Sequence, residues 1–440
     1  MEISADNPAS IIIEGLNIEN LREDRREKHR LIESIQEKIE SSPWQSSECC
    51  IFRVPPKLWR DYKEAYTPRI VAIGPYHRGN QSLKPMESHK LLYLHSFLRN
   101  NPERSLHDYI ERIESWMIRT QSCYHEQINL SNDEFTEMML LDGIFMIHVF
   151  LIYWNPKWRP DGDRIFARPW ILNHVRRDMM LLENQMPFFA VQGLFEMAFG
   201  SHQEHMPGLL QLVYQFFEPV TMIEVPGMVI ESDVKHWLDA IRFSYMWSVR
   251  TGPSEMQKEI KFIPNATDLV GAGVKLRRSR SKCLFDIKFK NGVLEIPPLN
   301  LYDMTESYFR NVIAFEQRYY EDDSCLIDYL LFIDHLVNTP ADAKLLIDKE
   351  IIDNWIGSED AAADRINRYC KDAGLLTRNT YFDGLRHELI EYCRRPRNKW
   401  KASFNRDYCS SPWAVLSVVA AVVLLALTVV QTVCSLLSMK

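Results

Sequence analysis

The C-terminal stretch from Pro412 to Leu437 constrains the fold of this chain more than any other sequence feature. It reads PWAVLSVVAAVVLLALTVVQTVCSLL, and no charged residue occurs between Asp407 and Lys440. A helix of about 26 residues, rising about 1.5 Å per residue, crosses the ~30 Å hydrocarbon core of a membrane. We therefore expect a transmembrane helix that anchors the protein in a membrane, with Pro412 and Trp413 at its start and Leu437 at its end. A buried core helix is the alternative, although such helices seldom exceed about 20 residues without a charge.

The chain before this stretch is expected to form a head over residues 44–407, preceded by a charged helical region over residues 1–43. No long linker rich in Gly, Ser or Pro interrupts it, so the head is one large domain or two closely packed lobes. A net charge of −7 argues against a nucleic-acid binder, because such proteins carry a basic surplus. Motifs of phosphate-binding loops, dinucleotide-binding folds, serine hydrolases and zinc proteases do not occur. We therefore expect no cofactor.

The N-terminus and the cysteines bear on the compartment. Met1 to Ser10 is acidic and polar, and Ile11 to Ile13 is too short for the apolar region of a signal peptide. We therefore expect a single-pass, tail-anchored protein. The cysteines form no Cys-x-x-Cys pair and no Cys/His group at zinc spacing, which predicts no metal site and favours a reducing compartment. They are odd in number, at Cys49, Cys50, Cys123, Cys283, Cys325, Cys370, Cys393, Cys409 and Cys434.

Charges beside the last helix predict its orientation. Lys440 is the only basic residue after the helix, whereas the chain before it is strongly basic at Arg394, Arg395, Arg397, Lys399, Lys401 and Arg406. The positive-inside rule therefore places the head in the cytosol. An extracellular head at the plasma membrane is the alternative. It would expose three N-glycosylation acceptor sequences, which begin at Asn80, Asn129 and Asn265.

A second strongly apolar stretch, Met138 to Trp154, is predicted to be the central buried helix of the head. By hydropathy alone it could span a membrane, but it is only about 17 residues long and contains Asp142 and His148. An aspartate at the centre of a bilayer costs about 2.5 to 3.5 kcal/mol. In a protein core the same carboxylate needs a partner, so we expect Asp142 to be paired.

Four titratable residues are weak candidates for a catalytic site, and each has an ordinary structural alternative. His77 lies in a turn rich in Pro and Gly, where a histidine commonly bonds to a backbone carbonyl. Glu87 lies on the polar side of a predicted helix. Glu183 lies in a Glu-Asn-Gln corner before Pro187, where the helix must kink or restart. If Glu183 is buried, its pKa rises and it could act as an acid or base. Asp142 and Glu183 are predicted to be mainly structural.

The remaining signals predict a mainly α-helical head with a small β-hairpin or sheet. Asn291-Gly292 between two short alternating segments is typical of a type I′ hairpin. Helix starts are predicted at Asp303, Thr339-Pro340 and Ser358. A basic loop before the hairpin could bind a phosphate or lipid headgroup, or it could be an ordinary solvated loop. Its residues are Lys275, Arg277, Arg278, Arg280 and Lys282.

Several motifs, spread in order over nearly the whole head, resemble a plant family. They include Phe52-Arg53-Val54-Pro55, Gly74 to Gly79, Met86-Glu87 with Lys90, Leu140-Leu141-Asp142-Gly143, Leu182-Glu183-Asn184-Gln185, and Phe309-Arg310-Asn311. Together they resemble the plant domain-of-unknown-function 247 family, also called UPF0481. The resemblance implies a plant protein with a C-terminal membrane helix and no established enzymatic activity, and some grass members are implicated in self-incompatibility recognition. This chain departs from the family pattern at His77-Arg78, where two histidines are common, and at His148, where an acid is common.

Two functional hypotheses follow. The first is a membrane-anchored recognition, signalling or scaffold module, which contacts lipid through its C-terminal helix and binds a protein partner, not a nucleic acid, through its head. The second is a membrane-tethered hydrolase or transferase that uses the buried carboxylates and His77. Catalysis requires these groups to converge within about 3 to 5 Å in an open cleft, whereas a structural role places them in closed hydrogen-bonded pairs.

Overall fold

The computed structural model of the protein describes residues 28–36, 48–200, 206–221, 234–246, 262–320, 323–369, 371, 381–395 and 412–438. In the last helix, side chains are described at 416, 420–433 and 437. Of the predicted N-terminal charged helix, residues 28–36 are helical. Its predicted end at Ser41 to Pro43 lies outside the described residues.

The described residues are mainly helical, as the sequence predicts, and a small mixed sheet joins the helices. The helices before residue 250 are α1 (Pro56–Asp61), α2 (Lys63–Tyr66), α3 (Lys84–Asn100), α4 (Leu106–Ser122), α5 (Asn132–Trp154), α6 (Pro169–Met179), α7 (Phe188–Phe199), α8 (Leu209–Thr221) and α9 (Trp237–Met246). Those after it are α10 (Ala266–Gly271), α11 (Asp303–Tyr319), α12 (Cys325–Leu336), α13 (Pro340–Asp348), α14 (Glu359–Tyr369), α15 (Asp383–Arg394) and α16 (Pro412–Ser438).

Helix α5 is the centre of the head, and the prediction of a buried central helix is confirmed. Ser131 and Glu134 cap its start reciprocally: Glu134 N donates to Ser131 Oγ at 3.2 Å, and Ser131 N donates to the Glu134 carboxylate at 2.9 Å. Helices α3, α4, α7 and α8 pack around it. Among the residues whose side chains the structure describes, α5 is the one helix long and apolar enough to cross a membrane, but 94% of its apolar window is buried inside the head. The described side chains of the C-terminal helix cover a shorter apolar stretch, Ala420–Val433.

The predicted hairpin is confirmed and belongs to a three-stranded sheet. Strand β2 (Lys288–Lys290) runs antiparallel to β3 (Val293–Ile296), with Asn291 and Gly292 in the turn at φ of 53° and 76°. Strand β1 (Lys275–Arg278) pairs in parallel with β3, so the first part of the predicted basic loop is a strand instead. Its pairing satisfies the backbone, and Leu276 is its only buried side chain. A second sheet pairs β4 (Leu299–Leu301) with β5 (Ile352–Asn354) in parallel.

The helices of the C-terminal half of the head are joined by buried ion pairs. Arg242 on α9 lies 2.6 Å from the carboxylate of Glu316 on α11, and Glu316 also accepts hydrogen bonds from Leu326 N and Ile327 N at the start of α12. A second buried pair, Asp328 with Arg386, joins α12 to α15.

The predicted helix starts in this half are confirmed. Helix α11 begins at Asp303. Thr339 and Asp342 form a capping box at α13, and the Ser358 hydroxyl accepts a hydrogen bond from Ala361 N at the start of α14.

The C-terminal stretch forms the 27-residue helix α16. Its described large apolar side chains are 50% to 69% exposed. The Thr428 hydroxyl donates to Leu424 O and the Thr432 hydroxyl donates to Thr428 O, both at 2.8 Å. The helix thus satisfies these two polar groups without help from another element.

Candidate functional site

An extended segment from Arg69 to Gly74 lies beside two of the four candidate residues, because Asp142 binds its backbone and Glu87 is joined to it through Lys90. Within the described chain it is paired with no strand. Instead, the Asp178 carboxylate accepts from the backbone N–H groups of residues 69, 70 and 71 at 2.7 to 3.1 Å, and Asn184 Oδ1 accepts from Ile73 N at 2.7 Å. These side chains replace the neighbouring strand that a buried extended backbone normally requires.

Asp142 belongs to a closed network at the end of this segment. Its Oδ1 lies 2.5 Å from Lys90 Nζ, and its Oδ2 accepts from Gly74 N at 2.8 Å. Lys90 Nζ also lies 2.6 Å from the Glu87 carboxylate and donates to Ala72 O at 2.7 Å. Asp142 and Lys90 are each 1% exposed. Burial raises the pKa of Asp142, and the charge of Lys90 opposes that rise. Lys90 is therefore the partner that the apolar surroundings of Asp142 require.

Glu183 belongs to a second network, on the other side of the extended segment. Its carboxylate accepts from Arg53 Nη1 and from Val54 N, both at 2.8 Å. His77 Nε2 lies 3.6 Å from the Glu183 carboxylate and has no hydrogen-bond partner among the described residues. Burial lowers the pKa of His77 to about 4, with the Arg53 charge adding to the effect, so the imidazole is neutral at cytosolic pH.

The two networks do not form one catalytic constellation. His77 and Glu183 line a cleft of about 530 Å³ together with Arg53 and His125, whereas Asp142 is closed off by Lys90. Glu183 accepts two hydrogen bonds and lies 3.6 Å from His77 Nε2 in this cleft, so these two residues meet the distance expected of a catalytic pair. Glu87 and Asp142 do not, because both are bound to Lys90. Asp142 and Lys90 hold the segment from Arg69 to Gly74, and Glu183 holds Arg53 and the backbone of Val54.

Gly74 shows how tightly this centre is packed. Its φ is +71°, and a side-chain Cβ at this position would lie 2.5 Å from the carbonyl oxygen of Gln185. Only glycine fits, both for its backbone conformation and for its space.

Two residues of the predicted basic loop form ion pairs within the protein. Arg277 forms an ion pair with Glu295, and Arg278 lies 3.4 Å from the Glu350 carboxylate. Lys275, Arg280 and Lys282 are exposed. The charges of Arg277 and Arg278 are thus compensated within the protein, which weakens the interpretation as a headgroup site.

A larger cleft, which we call the Trp170 cleft, was not predicted from the sequence. Its volume is about 1100 Å³, and it is bounded by α1, α2, α6, the first turn of α11 and Trp355 after β5. Trp170 and Trp355 are 57% and 67% exposed. Tyr302 packs beside Trp355, with ring centres 5.8 Å apart. The only sequence signal for this cleft was a run of basic and aromatic residues between Lys57 and Arg69.

The floor of the Trp170 cleft carries two buried arginines of α6. Arg177 is paired with Asp178 at 2.9 Å and also donates to backbone carbonyls of the α2 region, so its charge is compensated. Arg176 donates to Phe216 O at 2.8 Å and to Asn173 Oδ1 at 3.3 Å. No carboxylate of the described residues lies within ion-pair distance of Arg176, which is 5% exposed. Burial lowers its pKa, since desolvation disfavours the charged form.

Four acidic residues line the Trp170 cleft: Asp61, Glu64, Asp303 and Glu306. The side chains of Glu64 and Asp303 are 94% and 92% exposed. Glu306, deeper in the wall, is already bonded to Arg310 at 2.9 Å. The cleft therefore combines a positive floor, a mixed-charge mouth and aromatic walls in a protein whose net charge is −7.

Comparisons with known proteins agree with the motifs noted in the sequence. The family model for DUF247, a plant protein of unknown function, matches residues 51–427. "UPF0481 protein At3g47200" from Arabidopsis thaliana is 30% identical over 419 residues, which cover 89% of this chain and 87% of the relative. "Putative UPF0481 protein At3g02645" from the same organism is 21% identical over 496 residues, covering 90% of this chain and 92% of the relative. No solved structure matches the chain.

Proposed function

This chain belongs to the DUF247 family of plant proteins, and from that premise we propose that it is a membrane-anchored recognition or scaffold module. Its C-terminal helix holds it at a membrane, and its head binds a protein partner. The family description supplies no activity, so the proposal depends on the geometry of this chain.

Helix α16 is the observation that carries the proposal. It is 27 residues long, which at about 1.5 Å per residue exceeds the ~30 Å hydrocarbon core. Its sequence holds no charge, and its described large apolar side chains are at least half exposed. Exposed apolar surface of this extent is unfavourable in water, whereas lipid covers it at no cost.

The head supports recognition better than catalysis. Glu87 and Asp142 are bound to Lys90, and Glu183 is bound to Arg53 and Val54 N. The Trp170 cleft is instead lined by exposed tryptophans and by charges of both signs. Aromatic and arginine side chains are the residue types that dominate binding energy in protein interfaces.

Proximity labelling in plant cells tests both halves of this proposal. A labelling enzyme fused to the N-terminus of the full chain is expected to mark membrane-associated neighbours and one reproducible partner. Deletion of residues 412–440 is the matched control, because it should leave the head folded and move it to the soluble fraction. A deleted chain that stays in the membrane pellet, or a full chain that labels no reproducible partner, would contradict the proposal.

Orientation is tested by the acceptor sequences beginning at Asn80, Asn129 and Asn265. A cytosolic head leaves all three unmodified, because glycans are added only in the secretory lumen. A mobility shift after glycosidase treatment of the full chain from plant cells would place the head outside the cytosol. The partner would then be a cell-surface protein.

A further inference from the structure

The Trp170 cleft contains a buried positive charge, Arg176, which is hydrogen-bonded to Tyr153 but has no carboxylate partner among the described residues. Arg176 is held in place by Phe216 O and Asn173 Oδ1, and its guanidinium lies over the rings of Tyr153 and Phe216 at 4.9 and 4.8 Å. Ring contacts and neutral acceptors offset part of the cost of burying a charge. The remainder is normally offset by a carboxylate, and none of the described residues provides one.

Shape and charge together indicate what would fill the cleft. Its volume of about 1100 Å³ exceeds the roughly 300 to 1000 Å³ of common small-molecule pockets, so a longer ligand is indicated. Arg60 and Lys63, at the mouth, have no ion-pair partner among the described residues. Trp170 and Trp355 provide flat apolar surfaces on which aromatic or proline side chains can pack.

We propose that the Trp170 cleft binds an extended acidic peptide segment of the protein partner, with one carboxylate paired to Arg176. This inference rests on the proposed recognition function and names the chemistry of its partner. Arg176 provides the specificity, because a guanidinium pairs with a carboxylate through two parallel hydrogen bonds. Trp170 and Trp355 pack against the peptide residues on either side of that carboxylate. Arg60 and Lys63 attract the acidic peptide to the mouth of the cleft.

Fluorescence anisotropy with the full chain in lipid nanodiscs tests this site. The probe is a fluorescein-labelled peptide that alternates Glu with Tyr and Pro, and its control carries Gln in place of every Glu. We expect the Glu peptide to bind at least about tenfold more tightly than the Gln peptide. Arg176→Met should abolish that preference, whereas Trp170→Ala should weaken both peptides by a similar factor.

Two further variants distinguish a loss of binding from a loss of folding. Arg176→Met could perturb the packing against Phe216, so the double variant Arg60→Glu with Lys63→Glu at the exposed mouth gives an independent measurement. It should weaken the Glu peptide at least about fivefold and leave the unfolding midpoint unchanged. Arg99→Glu is the matched charge reversal, because Arg99 is exposed on α3 and is not part of the cleft. It should leave the affinity for both peptides unchanged.

The outcomes separate this inference from the proposed function. Equal affinity for the Glu and Gln peptides would overturn the inference, as would a preference that survives in folded Arg176→Met protein. Arg176-dependent binding of phosphatidylserine vesicles without peptide binding would assign the cleft to a lipid headgroup and overturn it too. If the partner found by proximity labelling is still labelled in the Arg60 and Lys63 double variant, it docks elsewhere. The acidic-peptide site would then be wrong while the recognition function stands.

Discussion

Helices α5 and α16 are similar in apolar composition but opposite in burial. Both are long and apolar. Residues 138–152 of α5 are buried under four neighbouring helices, whereas every side chain of α16 that the structure describes is exposed. Hydropathy alone therefore does not distinguish the core of this head from its proposed anchor.

The polar residues of the two helices make the distinction. Asp142 in α5 depends on Lys90 and on Gly74 N, which come from other parts of the chain. Thr428 and Thr432 in α16 bond to carbonyls of their own helix. A protein core supplies partners for polar groups, and lipid does not. An apolar helix whose polar groups are hydrogen-bonded within the helix is thus suited to lipid. One whose polar groups need partners from other elements is suited to a protein core.

Loss of Lys90, the ion-pair partner of Asp142, should have the largest effect on stability. Lys90→Met leaves the Asp142 carboxylate buried without its counterion, so we expect the free energy of unfolding to fall by about 3 to 5 kcal/mol. The double variant Lys90→Met with Asp142→Asn removes both charges and should recover most of that loss. Urea denaturation of the full chain in detergent measures both values. An unchanged midpoint for Lys90→Met alone would mean that α5 does not depend on this pair.

The corresponding change in α16 should act on membrane insertion and not on the head. Leu425→Asp introduces a charge near the centre of the helix, where membrane insertion becomes less favourable by about 2.5 to 3.5 kcal/mol. The fraction that resists alkaline carbonate extraction should fall, while Leu425→Ile retains it. A lower urea midpoint of the head in Leu425→Asp would instead show that α16 packs against the head.

Acid should weaken the head and leave the proposed anchor unaffected. His236 is fully buried, with Nδ1 accepting from Asp239 N and Nε2 placed 3.2 Å from Cys50 O. Burial lowers its pKa to about 3, against about 6.5 in the unfolded chain. Between these values the unfolded chain binds a proton that the folded head does not bind, so stability falls as the pH falls from 6.5 towards 3.

The expected slope from His236 is up to about 1.4 kcal/mol per pH unit. Burial raises the pKa of Asp239 to about 6, and this group opposes the loss between about pH 6 and pH 4. The difference between wild type and His236→Gln therefore isolates the histidine, and it should shrink from pH 6.5 to pH 4.5. A constant difference would show that His236 takes up its proton in the folded head. Membrane retention should not change over this range.

The smallest effect is expected for a hydroxyl that bonds within its own helix. Thr428→Val keeps the shape of the side chain and removes a hydroxyl whose one partner among the described residues is Leu424 O. The free energies of membrane insertion and of unfolding should each change by no more than about 0.5 kcal/mol. The carbonate-resistant fraction and the urea midpoint should therefore stay close to those of the wild type. A large loss of membrane retention would show that Thr428 bonds to another molecule, which would contradict the self-sufficiency of α16.

Local signals in the sequence were sufficient for several elements. Asp142 within an apolar run predicted that α5 is buried and paired, Asn291-Gly292 predicted the hairpin, and Thr339-Pro340 predicted the start of α13. Each of these signals lies within the element that it predicts. Strand β1 was mistaken for a loop because three of its four residues are exposed and basic, so it lacks the apolar alternation of a half-buried strand.

The Trp170 cleft could not be predicted because its walls are far apart in sequence. Trp170 and Trp355 are separated by most of the head and meet only after packing. Asp178 follows Arg177 directly in the sequence, but adjacent side chains on a helix do not face each other, so the sequence alone does not predict that these two pair at 2.9 Å. Nor does it show that Arg176 has no carboxylate partner among the described residues. A counterion is a property of tertiary structure, so the sequence pattern does not show which arginine lacks one.

The extended segment from Arg69 to Gly74 has a consequence for folding during synthesis. Its backbone partners are Lys90, Asp142, Asp178 and Asn184, so the last of them is made about 110 residues after the segment itself, or roughly 5 to 20 s later at common translation rates. Until then Ile70-Val71-Ala72-Ile73 lacks some of these partners, and apolar segments of this kind join other chains in aggregates. Pro68 and Pro75 flank it on both sides. Because proline cannot donate to a β-ladder, these two residues limit how far such pairing could spread before the helices that bind the segment have been made.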